Sequence, residues 1–235
     1  MWLLDKKKTY KMKTYFITGT DTSIGKTTAT CQLMRQLKQS NKKVIALKPI
    51  ASGTEYICPY RKPVHQDSIL LQQAANVLLE YQTINPYLMQ EAIAPHISAS
   101  KNNDYLDADA IFKKIAQTIE KQNADYCFIE GAGGWLLPLN NKNTFAEVIV
   151  KLNLPIIMVV GIKLGCLNHS LLTYNSIKSL GGNCIGWIAN CIDPNMQCMN
   201  ENIDSLKELL EVKCIGKIPY NLCAEQAEFD FTLLS

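Results

Sequence analysis

The stretch "TGTDTSIGKTT" (residues 18–28) decides the fold, because a glycine-containing turn here joins a β-rich run to a helix-forming run. Its end matches the Gly-Lys-Ser/Thr signature of a phosphate-binding loop, but the usual first glycine would fall at Thr20, and Gly19 lies one residue earlier. Backbone N–H groups at the helix start, the Lys26 ammonium and a hydroxyl that can ligate Mg²⁺ would suit a triphosphate. The strand before the turn and the helix after it favour a modified phosphate loop over a bend in which Lys26 is merely solvated.

Length and composition indicate one globular domain. The chain has 235 residues, 47% of them apolar and 19% charged, with a formal net charge of +3. Its scattered lysines form no basic stripe of the kind that binds nucleic acid, and no segment approaches the roughly 20 apolar residues of a membrane span. Nine cysteines without a Cys-x-x-Cys pair indicate reduced thiols and a cytoplasmic location. We expect residues 1–13 to form a loose extension and residues 14–235 to form the functional domain.

Short β-rich runs alternate with helix-forming runs along the chain. Several β-rich runs are continuously apolar, such as "PIIMVVG" (residues 155–161), which is typical of a strand covered on both faces. The predicted strands are 14–18, 43–48, 125–130, 155–161, 184–190 and 212–217, and the predicted helices include 26–39, 67–79, 107–122 and 202–211. The alternation predicts an α/β fold, with a mostly parallel sheet and helices on both faces, that binds ligands at the carboxyl ends of its strands.

A second candidate motif, "FIEGAGGW" (residues 128–135), stands at the end of a predicted strand. Glu130 lies at that strand end, where a hard cation held between a carboxylate and phosphates would bind. The glycines that follow permit a close backbone approach, so peptide N–H groups can point at an anion. A tight turn with a solvated Glu130 is the alternative, and the phosphate loop elsewhere in the chain favours the cation site.

A third candidate motif, "ALKPIASG" (residues 46–53), ends a predicted strand with a lysine. Lys48, with Ser52 four residues later, could neutralise charge that develops on a transferring phosphoryl group, whereas a lysine reaching to solvent is the alternative. Asp67 could be a second carboxylate for a metal, the N-cap of the helix that follows, or both.

The run "GIKLGCLNHS" (residues 161–170) leads from a strand end into a helix that we expect to begin near Asn168. N–H groups at that helix start would suit a carboxylate. His169 has no acid or nucleophile spaced beside it, so we interpret it as a helix-surface or subunit-contact residue.

These pieces, in this order, resemble the dethiobiotin synthetase family over about residues 15–225. The resemblance depends on "TGTDTSIGKT", "KPIASG", "NPY" followed by "APHISA", "EGAGGW", "VVGIKLGCLNH", "GWIAN" and "GKIPY". The phosphate loop of this family is Gly, five residues, then Gly-Lys-Thr, which is the spacing found here. The resemblance implies a single P-loop NTPase-like domain that acts as a homodimer and uses ATP, Mg²⁺ and CO₂ or bicarbonate to convert 7,8-diaminononanoate to dethiobiotin.

The resemblance also implies roles for the residues that match the family's motifs. Those implied to bind ATP are Ser23, Ile24, Gly25, Lys26, Thr27, Thr28, Asp67, Glu130, Gly131, Ala132, Gly133, Asn190, Cys191, Pro219, Tyr220, Asn221 and Glu225, with Gln226 competing for the role of Glu225. Thr27, Asp67 and Glu130 would hold Mg²⁺, and Thr22, Lys26 and Lys48 would be catalytic. Substrate would be bound by Ser52 and Gly133, and by Leu164, Gly165, Cys166 and Asn168 of the partner subunit's helix start.

Three other classes of protein fit the sequence less well. Partition and septum-positioning ATPases carry an additional lysine at the start of the loop, where this chain has Asp21, and the C-terminal "EFDFTLLS" is too short and acidic for membrane attachment. A cobyrinate amidation enzyme would need a further glutaminase domain, and an adenylate-type kinase would need an arginine-rich lid. No nucleic-acid or membrane partner is expected.

Overall fold

The structure is a computed structural model that describes residues 10–60, 62–220 and 227–234. Its strands are β1 (Lys13–Gly19), β2 (Val44–Leu47), β3 (Ile50–Ser52), β4 (Tyr87–Met89), β5 (Tyr126–Glu130), β6 (Pro155–Ile162), β7 (Asn183–Cys191), β8 (Cys214–Ile218) and β9 (Glu228–Phe229). Seven of them form one sheet in the order β2-β5-β1-β6-β7-β8-β9, while β3 and β4 form a small parallel pair. The large sheet is parallel except for β9, which runs antiparallel to β8. The predicted α/β class and mostly parallel sheet are therefore confirmed.

Helices connect most of the strands. They are α1 (Lys26–Gln39), α2 (Gln66–Ala74), α3 (Tyr81–Ile84), α4 (Pro95–Lys101), α5 (Ala108–Lys121), α6 (Phe145–Leu152), α7 (Cys166–Ser179) and α8 (Met199–Leu209), followed by a 3₁₀ turn at Phe231–Leu234. The first helix has the predicted bounds, but α2 ends at Ala74 instead of residue 79. The helix expected near Asn168 begins at Cys166, after a left-handed Gly165.

Side chains of the central strands alternate between two apolar layers, as the two-residue repeat of a strand requires. Phe16 of β1 packs into a layer with residues of α5, α6, α7 and α8. Its neighbours Tyr15 and Ile17 pack into the opposite layer, with residues of α1 and α2. Both faces of the sheet are thus covered, which explains the continuously apolar strands.

The loose extension expected over residues 1–13 lies mostly outside the described residues. Of its last residues, Met12 is buried and Lys13 begins β1. The boundary at residue 13 stays a prediction. In the part of the chain that the structure describes, no helix is long and apolar enough to cross a membrane.

Candidate active site

A cavity of about 920 Å³ opens where the carboxyl ends of β1, β2 and β5 meet. Because these strands are neighbours in the sheet, the loops after Gly19, Leu47 and Glu130 converge on one place. The cavity is lined by 24 residues, and they include the predicted site residues Thr22, Ser23, Gly25, Lys26, Thr27, Thr28, Lys48, Ser52, Asp67, Glu130, Ala132 and Gly133. Residues from four separate parts of the sequence, 22–28, 48–52, 67 and 130–133, therefore share one site.

The stretched phosphate loop folds back over the end of β1. A Cβ atom at Gly19 would lie 2.8 Å from the Ile24 side chain and 3.1 Å from the Lys26 stem, so this position accepts only glycine without a shift. Gly25 is the N-cap of α1 with φ of 84°, a conformation that favours glycine. The loop presents the start of α1 to the cavity, with its N–H groups available for an anion.

Glu130 is completely buried and is held by three side chains. The Thr27 hydroxyl donates to Oε1 at 2.8 Å, and Lys48 Nζ donates to the same oxygen at 2.6 Å. The Thr30 hydroxyl lies 3.3 Å from Oε2. A buried carboxylate needs such partners, and these fix it between the phosphate loop and β2.

Lys48 also contacts Asp67, which lies in α2. The distance from Lys48 Nζ to Asp67 Oδ2 is 2.9 Å. Burial would lower the pKa of Lys48, but Glu130 and Asp67 together raise it above its ordinary value. Burial likewise would raise the pKa of Asp67, and Lys48 lowers it overall. Lys48 is therefore a charged ammonium placed between the side chains of Glu130 and Asp67.

Asp67 lies in the first turn of α2 and is not its N-cap, so that one of its two predicted roles is wrong. His65 takes that position, and its Nδ1 accepts the Asp67 N–H at 3.2 Å. Burial lowers the pKa of His65, which keeps the ring neutral and its Nδ1 available as an acceptor. The carboxylate of Asp67 is consequently left to face the cavity and Lys48.

Lys26 has a different environment. Its Nζ donates to the Asp21 carbonyl at 2.9 Å, and the residue is only 6% exposed. Burial lowers the pKa of Lys26 to about 8, and repulsion from Lys48 contributes in the same direction. An anion in the cavity would supply the counter-charge that Lys26 lacks.

The comparisons with known proteins agree on one family. A family model described as an AAA domain matches residues 13–227. The ATP-dependent dethiobiotin synthetase BioD of Pseudoalteromonas translucida (strain TAC 125) is 43% identical over 95% of this chain and 97% of its own length. The protein of the same name from Vibrio vulnificus (strain YJ016) is 40% identical over 89% of this chain and 90% of its own length. The chain belongs to the ATP-dependent dethiobiotin synthetase family. It is a dethiobiotin synthase, as its motifs predict.

Solved structures that resemble this synthetase share less of its sequence. FtsY of Thermotoga maritima has a TM-score of 0.56 and 16% identity over 99% of this chain and 73% of its own chain. The MinC:MinD complex of Aquifex aeolicus has a TM-score of 0.53 and 16% identity over 88% of this chain and 81% of the matched chain. These likenesses show the P-loop NTPase-like fold alone, so they do not favour the ATPase switch considered above.

Several predicted site residues lie behind the cavity wall of the synthetase. Ile24 is buried beneath the phosphate loop, and the Gly131 carbonyl lies 3.5 Å from Lys48 Nζ. The Asn190 amide nitrogen donates to the Ile24 carbonyl at 2.7 Å, beside Gly25. Asn190 thus holds the backbone of the phosphate loop, and its role in binding ATP stays a prediction.

Three more residues that the resemblance implies to bind ATP lie at or just after the ends of β7 and β8. Cys191 is buried at the end of β7, Pro219 follows β8, and Tyr220 is 46% exposed. The predicted residues Asn221 and Glu225, and the competing Gln226, lie outside the described residues. Their roles stay predictions.

The segment just before α7 lies next to the phosphate loop. Lys163, in this segment, is 3.6 Å from Asp21. Leu164 is 90% exposed, while Cys166 is buried. Leu164, Gly165, Cys166 and Asn168 are not among the described residues that line the cavity.

Sequence reasoning missed two kinds of functional residue. Thr30 lies four residues after Lys26 and three after Thr27, so helical spacing alone could have placed it on the same face. Asn85 is marked in the sequence only as the first residue of the "NPY" motif, and Tyr81 carries no signal, because only the tertiary fold brings Asn85 to the Lys48 carbonyl and Tyr81 to Asn85 and His65.

Proposed function

We propose that this protein uses MgATP to carboxylate 7,8-diaminononanoate with CO₂ and to close the ureido ring of dethiobiotin, a step of biotin biosynthesis. The observation that carries the proposal is the convergence of a phosphate loop, two carboxylates and two buried lysines on one cavity. Phosphoryl transfer needs alignment and charge stabilisation more than an activated nucleophile, and the site offers those.

Thr27, Asp67 and Glu130 would hold Mg²⁺. Their donors are one hydroxyl and two carboxylates, which are the oxygen ligands that this ion prefers. The Thr27 hydroxyl and the Glu130 carboxylate already lie 2.8 Å apart, and Lys48 joins both carboxylates through one ammonium group. When bound, Mg²⁺ would neutralise charge on the phosphates.

The two lysines would act on different charges. The loop from Ser23 to Thr28 and the Lys26 ammonium would bind the triphosphate. Lys48 would face the carbamate and the γ-phosphate and stabilise the negative charge that develops between them. Thr22, on the exposed part of the loop, and the backbone N–H groups of Ala132 and Gly133 would align the same groups. The Gly131 N–H does not fit this role, because it already donates to the Ile17 carbonyl at 2.9 Å.

The reaction would proceed in three steps. A neutral amine of the substrate attacks CO₂ and loses a proton, which gives a carbamate. A carbamate oxygen then attacks the γ-phosphorus, the bond to the β-bridging oxygen breaks, and ADP leaves with a carbamic-phosphoric anhydride remaining. The second amine attacks the carbonyl carbon, phosphate departs with the electron pair of the broken C–O bond, and a proton is lost as the ring closes.

Ser52 and the cavity's outer wall would bind the diamine. The Ser52 hydroxyl is buried and lacks a hydrogen-bond partner within the described part of the chain, and Ser52 lines the cavity. Gly133 lies opposite, beside Thr22. Ile93 and Leu136 are partly exposed at the same cavity and suit the alkyl chain.

We infer that the substrate carboxylate binds the start of α7 in the partner subunit of a homodimer. The position of Leu164, exposed outside the cavity of its own subunit, supports this arrangement. We also infer that Asn190, Cys191 and the segment from Pro219 contact the base. We also propose a cytoplasmic location, which the nine cysteines without a Cys-x-x-Cys pair support, and we expect no nucleic-acid or membrane partner.

The experiment that tests the proposed function is incubation of the purified protein with MgATP, ¹³C-bicarbonate and 7,8-diaminononanoate, followed by mass spectrometry. A cyclic urea that carries the label, formed with one ADP per ring, is the expected result. Phosphate release that does not depend on the diamine would contradict the proposal.

A further inference from the structure

Asn85 opens the "NPY" motif, and nothing in the proposed mechanism uses it. The residue follows α3, is 2% exposed, and its amide nitrogen donates to the backbone carbonyl of Lys48 at 2.8 Å. The Lys48 backbone N–H donates to Ile84, the residue before Asn85, at 2.9 Å. The backbone of Lys48 is therefore held on both sides by this segment.

This support matters because Lys48 lies beyond the end of its strand. β2 ends at Leu47, whose partner in β5 is Ile129, and the next residue after Lys48 is a proline with no N–H to donate. The sheet ladder thus stops before the catalytic lysine. The segment 84–85 continues the pairing that β5 no longer provides.

Tyr81 extends the contact from Asn85 towards Asp67. Its hydroxyl donates to Asn85 Oδ1 at 3.0 Å and accepts the His65 backbone N–H at 2.8 Å. His65 in turn accepts the Asp67 N–H through Nδ1. A continuous chain of hydrogen bonds therefore runs from the Lys48 carbonyl to the Asp67 backbone.

The side chains close this chain into a ring. Lys48 Nζ lies 2.9 Å from Asp67 Oδ2, on the cavity side of the same two residues. Tyr81 and Asn85 are 6% and 2% exposed, so water cannot readily replace their bonds. A buried chain of satisfied polar groups fixes geometry more firmly than apolar packing does.

We propose that Tyr81 and Asn85 are positioning residues, here named the Tyr81–Asn85 bridge, which set the separation between Lys48 and Asp67. The bridge acts through these two residues and does not touch substrate. This inference rests on the proposed roles of Lys48 in phosphoryl transfer and of Asp67 in metal binding. The role of Asn85, the first residue of the "NPY" motif, would then be to hold the Lys48 backbone in place.

The test is Tyr81→Phe, which removes one hydroxyl and leaves the ring. Tyr60→Phe is the matched control, because Tyr60 packs against Tyr81 at a ring distance of 6.2 Å, while its hydroxyl bonds to Gln72 and not to the bridge. We expect Tyr81→Phe to lower kcat about fivefold to tenfold, as the loss of one or two buried hydrogen bonds allows, with the KM for ATP changed by less than about twofold.

Binding of Mn²⁺ in the presence of ADP gives a second readout that does not need turnover. Electron paramagnetic resonance of unbound Mn²⁺ should show a dissociation constant about threefold to fivefold higher for Tyr81→Phe, and unchanged for Tyr60→Phe. A merely structural role would lower the melting temperature of both variants without separating kcat from KM.

Asn85→Asp provides an independent variant. It keeps the shape and the acceptor for Tyr81, but it replaces the donor towards the Lys48 carbonyl by an oxygen. We expect at least the loss of kcat found for Tyr81→Phe. If Asn85→Asp does not fold, Tyr81→Phe alone decides.

Failure of the Tyr81–Asn85 bridge and failure of the proposed function would give different experimental results. Equal kcat and equal Mn²⁺ affinity in Tyr81→Phe and Tyr60→Phe would overturn the bridge. If the unmodified protein forms no labelled dethiobiotin, the proposed function fails, and the Mn²⁺ affinities still decide the bridge.

Discussion

Two buried lysines face the same cavity, and the protein treats them in opposite ways. Lys26, in the phosphate loop, has a backbone carbonyl as its hydrogen-bond partner, and its pKa is lowered to about 8. Lys48, at the end of β2, contacts two carboxylates, and its pKa is raised. Since both residues are less than a tenth exposed, the difference comes from their partners and not from their burial.

The opposite pKa shifts of Lys26 and Lys48 indicate how each region would interact with a charged ligand. The loop around Lys26 combines helix N–H groups with an ammonium whose charge nearby carboxylates compensate only in part, so an anion that enters the cavity would be favourable there. The ammonium of Lys48 is balanced by the carboxylates of Glu130 and Asp67, which lie 2.6 Å and 2.9 Å from it. This difference agrees with the proposed roles, in which the loop region binds the triphosphate and the strand-end region takes part in catalysis.

Lys48→Ala should have the largest effect on activity. Loss of one charge-stabilising group costs about 2.7–4 kcal/mol in the transition state, or about two to three orders of magnitude in turnover. The affinity for ATP should change far less, because the phosphate loop stays intact. Steady-state kinetics of the folded variant, with ATP affinity measured separately by calorimetry, checks the prediction. Near-normal turnover would remove Lys48 from the mechanism.

Lys48→Met should also destabilise the protein in the absence of nucleotide. It leaves the fully buried Glu130 without its positive partner, and breaking a buried ion pair typically costs about 3 kcal/mol in the free energy of unfolding. Denaturant unfolding at pH 7 measures this loss.

Lys178→Met is the control for that measurement. Lys178 has an equally short contact with Glu211, 2.6 Å, but both side chains are largely exposed to solvent. We expect the control to leave the free energy of unfolding nearly unchanged. Similar losses in the two variants would mean that Lys48 is no more coupled to its carboxylate than a surface lysine is.

Much of this contrast could be predicted from the sequence, but its energetics could not. The strand, the glycine turn and helix α1 follow from local patterns, and the rule on carboxyl ends of strands brings Lys26, Lys48 and Glu130 to one edge. Local patterns could not show that His65 caps α2 in place of Asp67. They also gave no sign that Tyr81 and Asn85 bridge residues far away in the sequence, since those contacts depend on tertiary packing.

Lys26→Met should have the opposite sign to Lys48→Met. The folded pKa of about 8 is below the ordinary value of 10.5, so the unfolded chain binds more protons between these values and stability rises with pH there. The unfavourable buried charge is therefore fully present below pH 8. Replacing it should raise the free energy of unfolding at pH 7 by on the order of 2 kcal/mol, with a smaller gain as the pH approaches 10.5.

Denaturant unfolding of Lys26→Met and the unmodified protein at pH 7 and pH 9.5, without nucleotide, checks this prediction. Binding of ADP to the variant should be weak, because the loop has lost its ammonium. Destabilisation of the nucleotide-free variant at pH 7 would show that Lys26 is better compensated than its environment indicates, and the contrast with Lys48 would fail.

Thr30→Val should have the smallest effect and should show where the two regions meet. The Thr30 hydroxyl lies 2.9 Å from the Lys26 carbonyl and 3.3 Å from Glu130 Oε2. Its single proton can therefore be shared between a carbonyl of α1, which carries Lys26, and the carboxylate that pairs with Lys48. Its loss should cost about 1 kcal/mol in the free energy of unfolding. The cost should be larger in the Lys48→Met background, because Glu130 then keeps only Thr27.

A double-mutant cycle between Thr30→Val and Lys48→Met measures that coupling. Thr118→Val is the matched control, since the buried Thr118 hydroxyl donates to the Lys114 carbonyl at 2.9 Å in α5, where no catalytic carboxylate is bound to it in the described structure. We expect Thr118→Val to cost the same in both backgrounds. If Thr30→Val also lowers the free energy of unfolding by the same amount in both backgrounds, the Thr30 hydroxyl stabilises only the helix that carries Lys26. The environments of Lys26 and Lys48 are then energetically independent.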